Sequence, residues 1–283
     1  CEQKQIFVPA MNHRMWQNKA TIEAVSQLRE RGKIILNPEE GQLASLHSGE
    51  GRLASVDKIM NEIRKNFNQK LRLENINILV TAGPTREAID SVRFISNRSS
   101  GKMGFSIAQV AKNYGGKVDL VTGPVHLPDI PQINTIKIES AIEMQDEINV
   151  LLSTKKYSYI FMVAAVADYK IDTILDKKIK SLKKVLDIKL KKTPDILKTI
   201  TKKSSAKVIG FALETNNGEK NALDKMKNKN LDYIVLNYAN ERDAGFDSNT
   251  NHVYLYSKDG RKKEFKLDKK DRIAKLIIDN IID

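Results

Sequence analysis

From residue 75 onward, apolar runs of strand length alternate with amphipathic stretches of helix length. The runs lie at 76–82, 117–123, 157–169, 207–215 and 231–238. The helical patterns lie at 104–114, 140–153 and 220–230. Strands that are separated by helices cannot pair as tight hairpins. They run parallel, with helices on both faces. The strand runs are nearly continuous in Val, Ile, Leu and Ala, as strands buried on both faces require. The fold class is therefore α/β, a doubly wound, Rossmann-like, mostly parallel sheet. The stretch HVYLYSKDGRKKEFKL (252–267) adds a β-hairpin through its Asp-Gly turn. An amphipathic helix, 269–282, closes the chain.

In open α/β sheets a ligand sits beyond the carboxyl ends of the strands. Four such ends carry small or polar residues: TAGPT (81–85), AAVADY (164–169), ALET (212–215) and LNYANERD (236–243). The stretch FISNRSSGKMGFSIAQ (94–109) lies between a strand and a helix, with Gly101 and Gly104 three apart. Such a turn presents backbone N–H groups to an anion. It is neither G-x-G-x-x-G nor a P-loop. Lys178 and Lys180 follow the run 157–169, and Lys225 and Lys229 share one helix face. Each feature has a plainer reading. The glycines permit a tight turn, Asn97 tolerates positive φ, Asp168 caps a helix, and the lysine pair forms a solvated face. No metal-ligand spacing, G-x-S-x-G elbow or Ser-His-Asp order is present, so the metal ligands stay unknown. The residues alone reach an α/β protein for a nucleotide or phosphate compound.

Residues 5–66 form a separate block. A short strand (5–10), a helix (20–32), a second strand (33–38), a Gly/Ser-rich loop (41–55) and a helix (56–67) make a βαβα piece. A sheet of that size cannot close alone, so it reads as a partial, flavodoxin-like segment. Residues 68–74 are polar and read as a linker. The division is thus 1–67, 68–74 and 75–283. The formal charge is +13, and 155–207 holds 15 Lys, 5 Asp and neither Arg nor Glu. A nucleic-acid-binding protein is one alternative, but aromatic residues are poorly interleaved with these lysines. Compositional bias toward Lys, Ile and Asn accounts for most of the surplus. No apolar run reaches membrane-spanning length, no signal peptide opens the chain, and the single Cys1 excludes an internal disulfide. These features point to a cytoplasmic protein with no membrane or nucleic-acid partner.

Long motifs carry a resemblance. TAGPTREAIDSVRFISNRSSGKMG (81–104), AAVADY, KIKS (178–181), TPDIL (193–197), GFALETNN (210–217) and KMKNKNLDYIVLN (225–237) stand in one order, followed by Gly245-Phe246 and the N-HVYL stretch. In that order they resemble phosphopantothenate–cysteine ligase, the amide-forming step of coenzyme A biosynthesis. PAMNHRMW (9–16) and PEEGQLASLHSGEGRL (38–53) resemble phosphopantothenoylcysteine decarboxylase, an FMN protein that shares a chain with the ligase in many bacteria. The chain thus resembles a bifunctional protein whose decarboxylase part is partial. Asn12 matches that part, whereas Ser45 stands where the family has a proton-donating cysteine. A serine hydroxyl is far less acidic. The expectation is that this chain neither decarboxylates nor holds FMN.

The resemblance implies 4′-phosphopantothenate, L-cysteine and CTP with Mg²⁺ as ligands, and a homodimer through the ligase part. It implies catalytic roles for Asn97 and Lys178. Asn97, Ser99, Ser100, Gly101 and Ala164 would bind the acyl substrate. Met162, Val163, Ala164, Asp168, Lys178, Pro194, Asp195, Ile196, Leu197, Phe211, Lys225 and Lys229 would bind the nucleotide. A catalytically idle regulatory subunit is the other alternative, motivated by the altered first block.

Overall fold

The computed structural model describes residues 5–42, 48–66, 72–173, 187–241 and 248–282. The chain divides into two compact units, Cys1–Lys70 and Leu71–Asp283.

In the first unit, β1 (Ile6–Phe7) leads to α1 (His13–Trp16) and α2 (Lys19–Glu30), and then to β2 (Ile34–Ile35), parallel to β1. Asn12 and Asn18 cap the two helices, each side chain accepting from the backbone N–H two residues on. Gly32, at φ 73°, ends the second helix turn. The stretch 41–55, expected to be a loop, instead carries part of an antiparallel ribbon. There β3 (Glu39–Gln42) pairs with β4 (Ser48–Arg52). Gly51 makes this possible: a Cβ there would lie 2.2 Å from the Met11 carbonyl oxygen, and the Met11 N–H donates to the Gly51 carbonyl at 2.9 Å. The close backbone approach hides a strand behind a turn-like composition. Helix α3 (Val56–Asn66) follows.

The second unit begins with β5 (Asn77–Ala82) and a ribbon of β6 (Arg86–Ala88) and β7 (Phe94–Ser96). Then come α4 (Lys102–Asn113), β8 (Lys117–Thr122), β9 (Asn134–Lys137), α5 (Ala141–Thr154) and β10 (Tyr159–Met162). A second ribbon, β11 (Tyr169–Ile171) with β12 (Leu190–Lys192), precedes α6 (Ile196–Lys203). The chain continues through β13 (Lys207–Glu214), α7 (Gly218–Asn228), β14 (Tyr233–Tyr238), β15 (Thr250–Ser257), β16 (Lys262–Lys269) and α8 (Lys270–Asp279). Eight strands form one sheet in the order β16-β15-β14-β13-β10-β5-β8-β9. Pairing is parallel from β14 through β9 and antiparallel for β15 and β16.

Ile78, Leu79 and Val80 of β5 are all fully buried, which explains the unbroken apolar run. One core packs α4 and α8 on one face of the sheet. The other packs α5, α6 and α7 on the opposite face. The strand order reverses between β5 and β10. From β5 the chain winds outward to β8 and β9, then returns on the other side. That reversal opens a crevice at the carboxyl ends of β5 and β10.

Three expectations need correction. The run 157–169 is not one strand. Strand β10 stops at Met162, because the Thr81 hydroxyl accepts the N–H groups of Val163 and Ala164, each at 3.1 Å, and draws the chain off the sheet. The polar stretch 68–74 contains a core residue: Leu73 is buried, and its N–H donates to the Tyr114 carbonyl at 2.9 Å. The helix α6 and the two ribbons were not anticipated, because each is short and mixed in composition. Lys178, Lys180 and Ser45 lie outside the described residues. Among the described residues no helix is long and apolar enough to cross a membrane.

Candidate functional site

The crevice holds a cavity of about 820 Å³. Its walls come from the carboxyl ends of the central strands and from three helix starts. The turn after β7 brings Asn97, Ser99, Ser100 and Gly101 to it. The segment after β10 brings Val163, Ala164 and Asp168, next to Met162 at the strand end. Pro194, Asp195, Ile196 and Leu197 come from the start of α6, Phe211 from β13, and Lys225 and Lys229 from the end of α7. The structure thus gathers every sequence-predicted ligand-binding residue of this unit around one space, apart from Lys178. The volume falls within the range of small-molecule sites.

Each wall is fixed by hydrogen bonds that the sequence explains only afterwards. Thr81 and Thr85, both fully buried, accept backbone N–H groups from across the crevice. Thr81 takes those of Val163 and Ala164, and Thr85 takes that of Ala167 at 3.0 Å. Thr193 donates its hydroxyl to the Ala167 carbonyl at 2.6 Å. The β6–β7 ribbon that carries Asn97 is held at its tip by Asp90, whose carboxylate accepts from the N–H groups of Val92 and Arg93. At its base, the buried Glu87 accepts from Ala141 N–H at the start of α5.

Asn97 is oriented by the main chain. Its Nδ2 donates to the Val166 carbonyl at 2.9 Å and reaches the Ala165 carbonyl at 3.4 Å. Two carbonyl acceptors on one side fix which end of the carboxamide is nitrogen. The Oδ1 is left as an acceptor at the rim. Gly101, at φ 75°, starts α4 in a left-handed conformation. A Cβ on Gly104 would lie 2.6 Å from the Ala82 Cβ, so only glycine lets α4 rest this closely on β5.

The α7 side is cationic. Lys225 is half-buried and donates to the Phe211 carbonyl at 2.8 Å. Burial holds its ammonium below the ordinary lysine pKa, with the charges of Asp168 and Glu214 offsetting part of that effect. Lys229 pairs with Asp195. Burial raises the Asp195 carboxyl, but hydrogen bonds from Lys229 and the Lys198 N–H outweigh it and hold the pKa below the usual carboxylate value. Among the described residues no group of three or more His, Cys, Asp and Glu side chains is arranged to hold a metal ion. The carboxylates among the described lining residues are Asp168 and Asp195.

Lys102, Thr193, Asn237 and Asn251 also line the cavity; they belong to motifs quoted above but had no role of their own. Lys192 and Lys270 were not singled out from sequence, because no local pattern marks either. In the first unit, Asn12 Oδ1 accepts from Arg14 N–H at 2.9 Å and so serves the helix start.

Fold and site define an α/β protein with a lysine-bearing cavity at the switch point of its sheet. Residues 73–283 match the family model described as "DNA/pantothenate metabolism flavoprotein C-terminal domain". Residues 1–68 match the model described as "Flavoprotein". The coenzyme A biosynthesis bifunctional protein CoaBC of Escherichia coli (strain K12) is 39% identical over 280 residues, 97% of this chain and 68% of that protein. That of Bacillus subtilis (strain 168) is 39% identical over 263 residues, 91% of this chain and 64% of that protein. The crystal structure of the C-terminal domain of such a protein superposes with a TM-score of 0.64 at 38% identity, covering 75% of this chain and 96% of that one. The chain belongs to the family of coenzyme A biosynthesis bifunctional proteins.

Proposed function

We propose that residues 75–283 form a phosphopantothenate–cysteine ligase, which joins 4′-phosphopantothenate to L-cysteine at the expense of CTP. The observation that carries this reading is the meeting of Asn97, the glycine turn, Lys225 and Lys229 around one cavity at the sheet's switch point. Supporting it are the family membership and the long matching motifs.

A carboxylate does not react with an amine in neutral water and must first become an acyl donor. In the proposed first step, a carboxylate oxygen of 4′-phosphopantothenate attacks the α-phosphorus of CTP. The bond to the β-phosphate breaks and pyrophosphate leaves. Negative charge shifts among the phosphate oxygens, and Lys225 and Lys229 are placed to balance it. Lys178 takes the same part by resemblance. Phe211, Met162, Pro194 and Leu197 give the nucleotide an apolar wall. Mg²⁺ would take most of its ligands from the triphosphate and would neutralise its charge. In the second step, the cysteine amine attacks the acyl carbon, the bond to CMP breaks, and the amine loses a proton. Asn97 Oδ1, an acceptor fixed by two main-chain carbonyls, suits the N–H of that amine better than a carboxylate, which offers only lone pairs.

The homodimer and a cytoplasmic location belong to the same reading. The test is pyrophosphate release with 4′-phosphopantothenate, L-cysteine and each nucleoside triphosphate in turn. CTP is expected to support turnover that requires both other substrates. Silence with every nucleotide would overturn the proposal.

A further inference from the structure

Asn97 is exposed at the cavity rim, yet its carboxamide is held in one orientation by the Ala165 and Val166 carbonyls. An exposed side chain keeps one geometry only if its partners are fixed relative to its own backbone. Two pieces of chain must therefore hold their register. One is the end of β7, which leads into Asn97. The other is the stretch 165–167, which supplies the two carbonyls.

Thr85 joins these two pieces through three of its polar groups. Its N–H donates to the Ala165 carbonyl at 3.4 Å. Its hydroxyl oxygen accepts the Ala167 N–H at 3.0 Å. Its carbonyl accepts from the hydroxyl of Ser96, the residue before Asn97, at 2.8 Å. Thr85 is fully buried and is not among the described residues that line the cavity, so it acts through its neighbours. Thr81 grips the same crossing segment at another point, where it accepts the N–H groups of Val163 and Ala164. The two threonines thus divide the segment. Thr81 holds the part next to Met162, and Thr85 holds the part that faces Asn97. A plainer role for Thr85 is to satisfy one buried N–H. That role would not require its carbonyl and N–H to bind the two pieces that orient Asn97.

We infer that Thr85 is a positioning residue, whose hydroxyl sets the Asn97 carboxamide for the amine step and not for the activation step. The inference deepens the ligase reading and rests on it. Without the hydroxyl, the Ala167 N–H loses its acceptor, and the stretch 165–167 can shift against Ser96. The Ala165 and Val166 carbonyls shift with it, so Nδ2 loses its partners and Oδ1 loses its aim. Val163 and Ala164 stay on Thr81, and the nucleotide wall is kept. A misplacement of about 1 Å can cost about a hundredfold in rate, and a partial loss of about tenfold is expected for one removed hydroxyl.

The test joins NMR of the asparagine side-chain amides to single-turnover kinetics on the full chain. Asn97→Ala identifies the Asn97 signals by their disappearance. Thr85→Val should move those signals to the positions of a free carboxamide, and Thr85→Ser, which keeps the hydroxyl, should leave them in place. With CTP, 4′-phosphopantothenate and L-cysteine, Thr85→Val should slow amide formation by about tenfold or more, with pyrophosphate release within about threefold of wild type. In an Asn97→Ala background the same substitution should slow amide formation by less than about twofold. A merely structural role would slow both steps together, and equally in both backgrounds. If Thr85→Val does not fold, Ser96→Ala cuts the same link from its more exposed end and should act in the same direction. Unmoved Asn97 signals in the folded variant, or equal slowing of the two steps, would overturn the inference. Shifted signals in a protein that releases no pyrophosphate with any nucleotide would leave the positioning standing and overturn the ligase reading.

Discussion

Thr81→Val isolates the hydrogen bonds that bend the chain away from β10. The substitution keeps the volume but removes an acceptor. The Val163 and Ala164 N–H groups, each 3.1 Å from the Thr81 hydroxyl, are then left without it. A buried donor stripped of its partner costs about 1–3 kcal/mol. Both donors are only partly buried, so water recovers some of this, and about 2–4 kcal/mol is expected for the pair. At roughly 2–4 °C per kcal/mol for a unit of this size, Tm should fall by roughly 5–15 °C. Because Val163 and Ala164 line the cavity, KM for CTP should rise as well. Differential scanning calorimetry and steady-state pyrophosphate release measure the two effects. Thr81→Ser, which keeps the hydroxyl, should recover most of both. A loss below about 0.5 kcal/mol in Thr81→Val, or a Thr81→Ser variant as damaged as the valine, would refute the argument.

Gly104→Ala should cost about 1–3 kcal/mol by denaturant unfolding, since the new Cβ would meet Ala82 Cβ at 2.6 Å and the Thr81 carbonyl oxygen at 3.0 Å. Asn97→Asp replaces the Nδ2 donor with a carboxylate oxygen facing the Ala165 and Val166 carbonyls. Acyl-cytidylate should accumulate while amide formation slows by about a hundredfold or more, as read by mass spectrometry of the quenched reaction; product at the wild-type rate would exclude the role. Burial, joined by the hydrogen bond to Asp279, pushes the Tyr114 hydroxyl from 10.0 up to about 12. A raised folded-state pKa stabilises the fold below the unfolded value, and that stability is lost as pH climbs through the folded one. Unfolding free energy should therefore decline between pH 10 and 12, and Tyr114→Phe should flatten that decline.

The sheet was legible because its strands obey one rule. Runs such as 76–82, buried on both faces, leave no polar alternation to confuse with a hairpin. The cavity's strand-end residues were legible for the related reason that small and polar residues stand where an apolar run stops. What sequence did not show was contact across the chain. Thr81 reads as an ordinary strand residue, yet it ends a distant strand by taking the N–H groups of Val163 and Ala164, 82 and 83 positions later. Lys270 reads as the polar start of an amphipathic helix. Its burial depends on α8 packing beside α4, which no local pattern announces. The ribbon β3–β4 was missed because glycine, usually a strand breaker, here admits the close approach of Met11.

The nucleic-acid alternative turns on where the lysines stand. A duplex or single strand needs cations along one continuous face. Four of the described lysines of 155–207 stand in different places. Lys155, just before β10, pairs with Asp119 at the amino-end side of the sheet. Lys192 lies in the cavity at the carboxyl ends. Lys203 donates to Asn149 across α5 and α6, and Lys191 pairs with Asp172 within the second ribbon. These four do not share one edge of the sheet, while Lys225 and Lys229 stand together at the cavity. Salt separates the cases. Neutralising many phosphates gives a slope of about −0.9 per contact in log affinity against log salt for duplex DNA. Oligonucleotide binding with a slope of several units, undisturbed by saturating CTP, would restore the nucleic-acid reading. A shallow dependence confined to CTP and 4′-phosphopantothenate is the outcome that the ligase proposal expects.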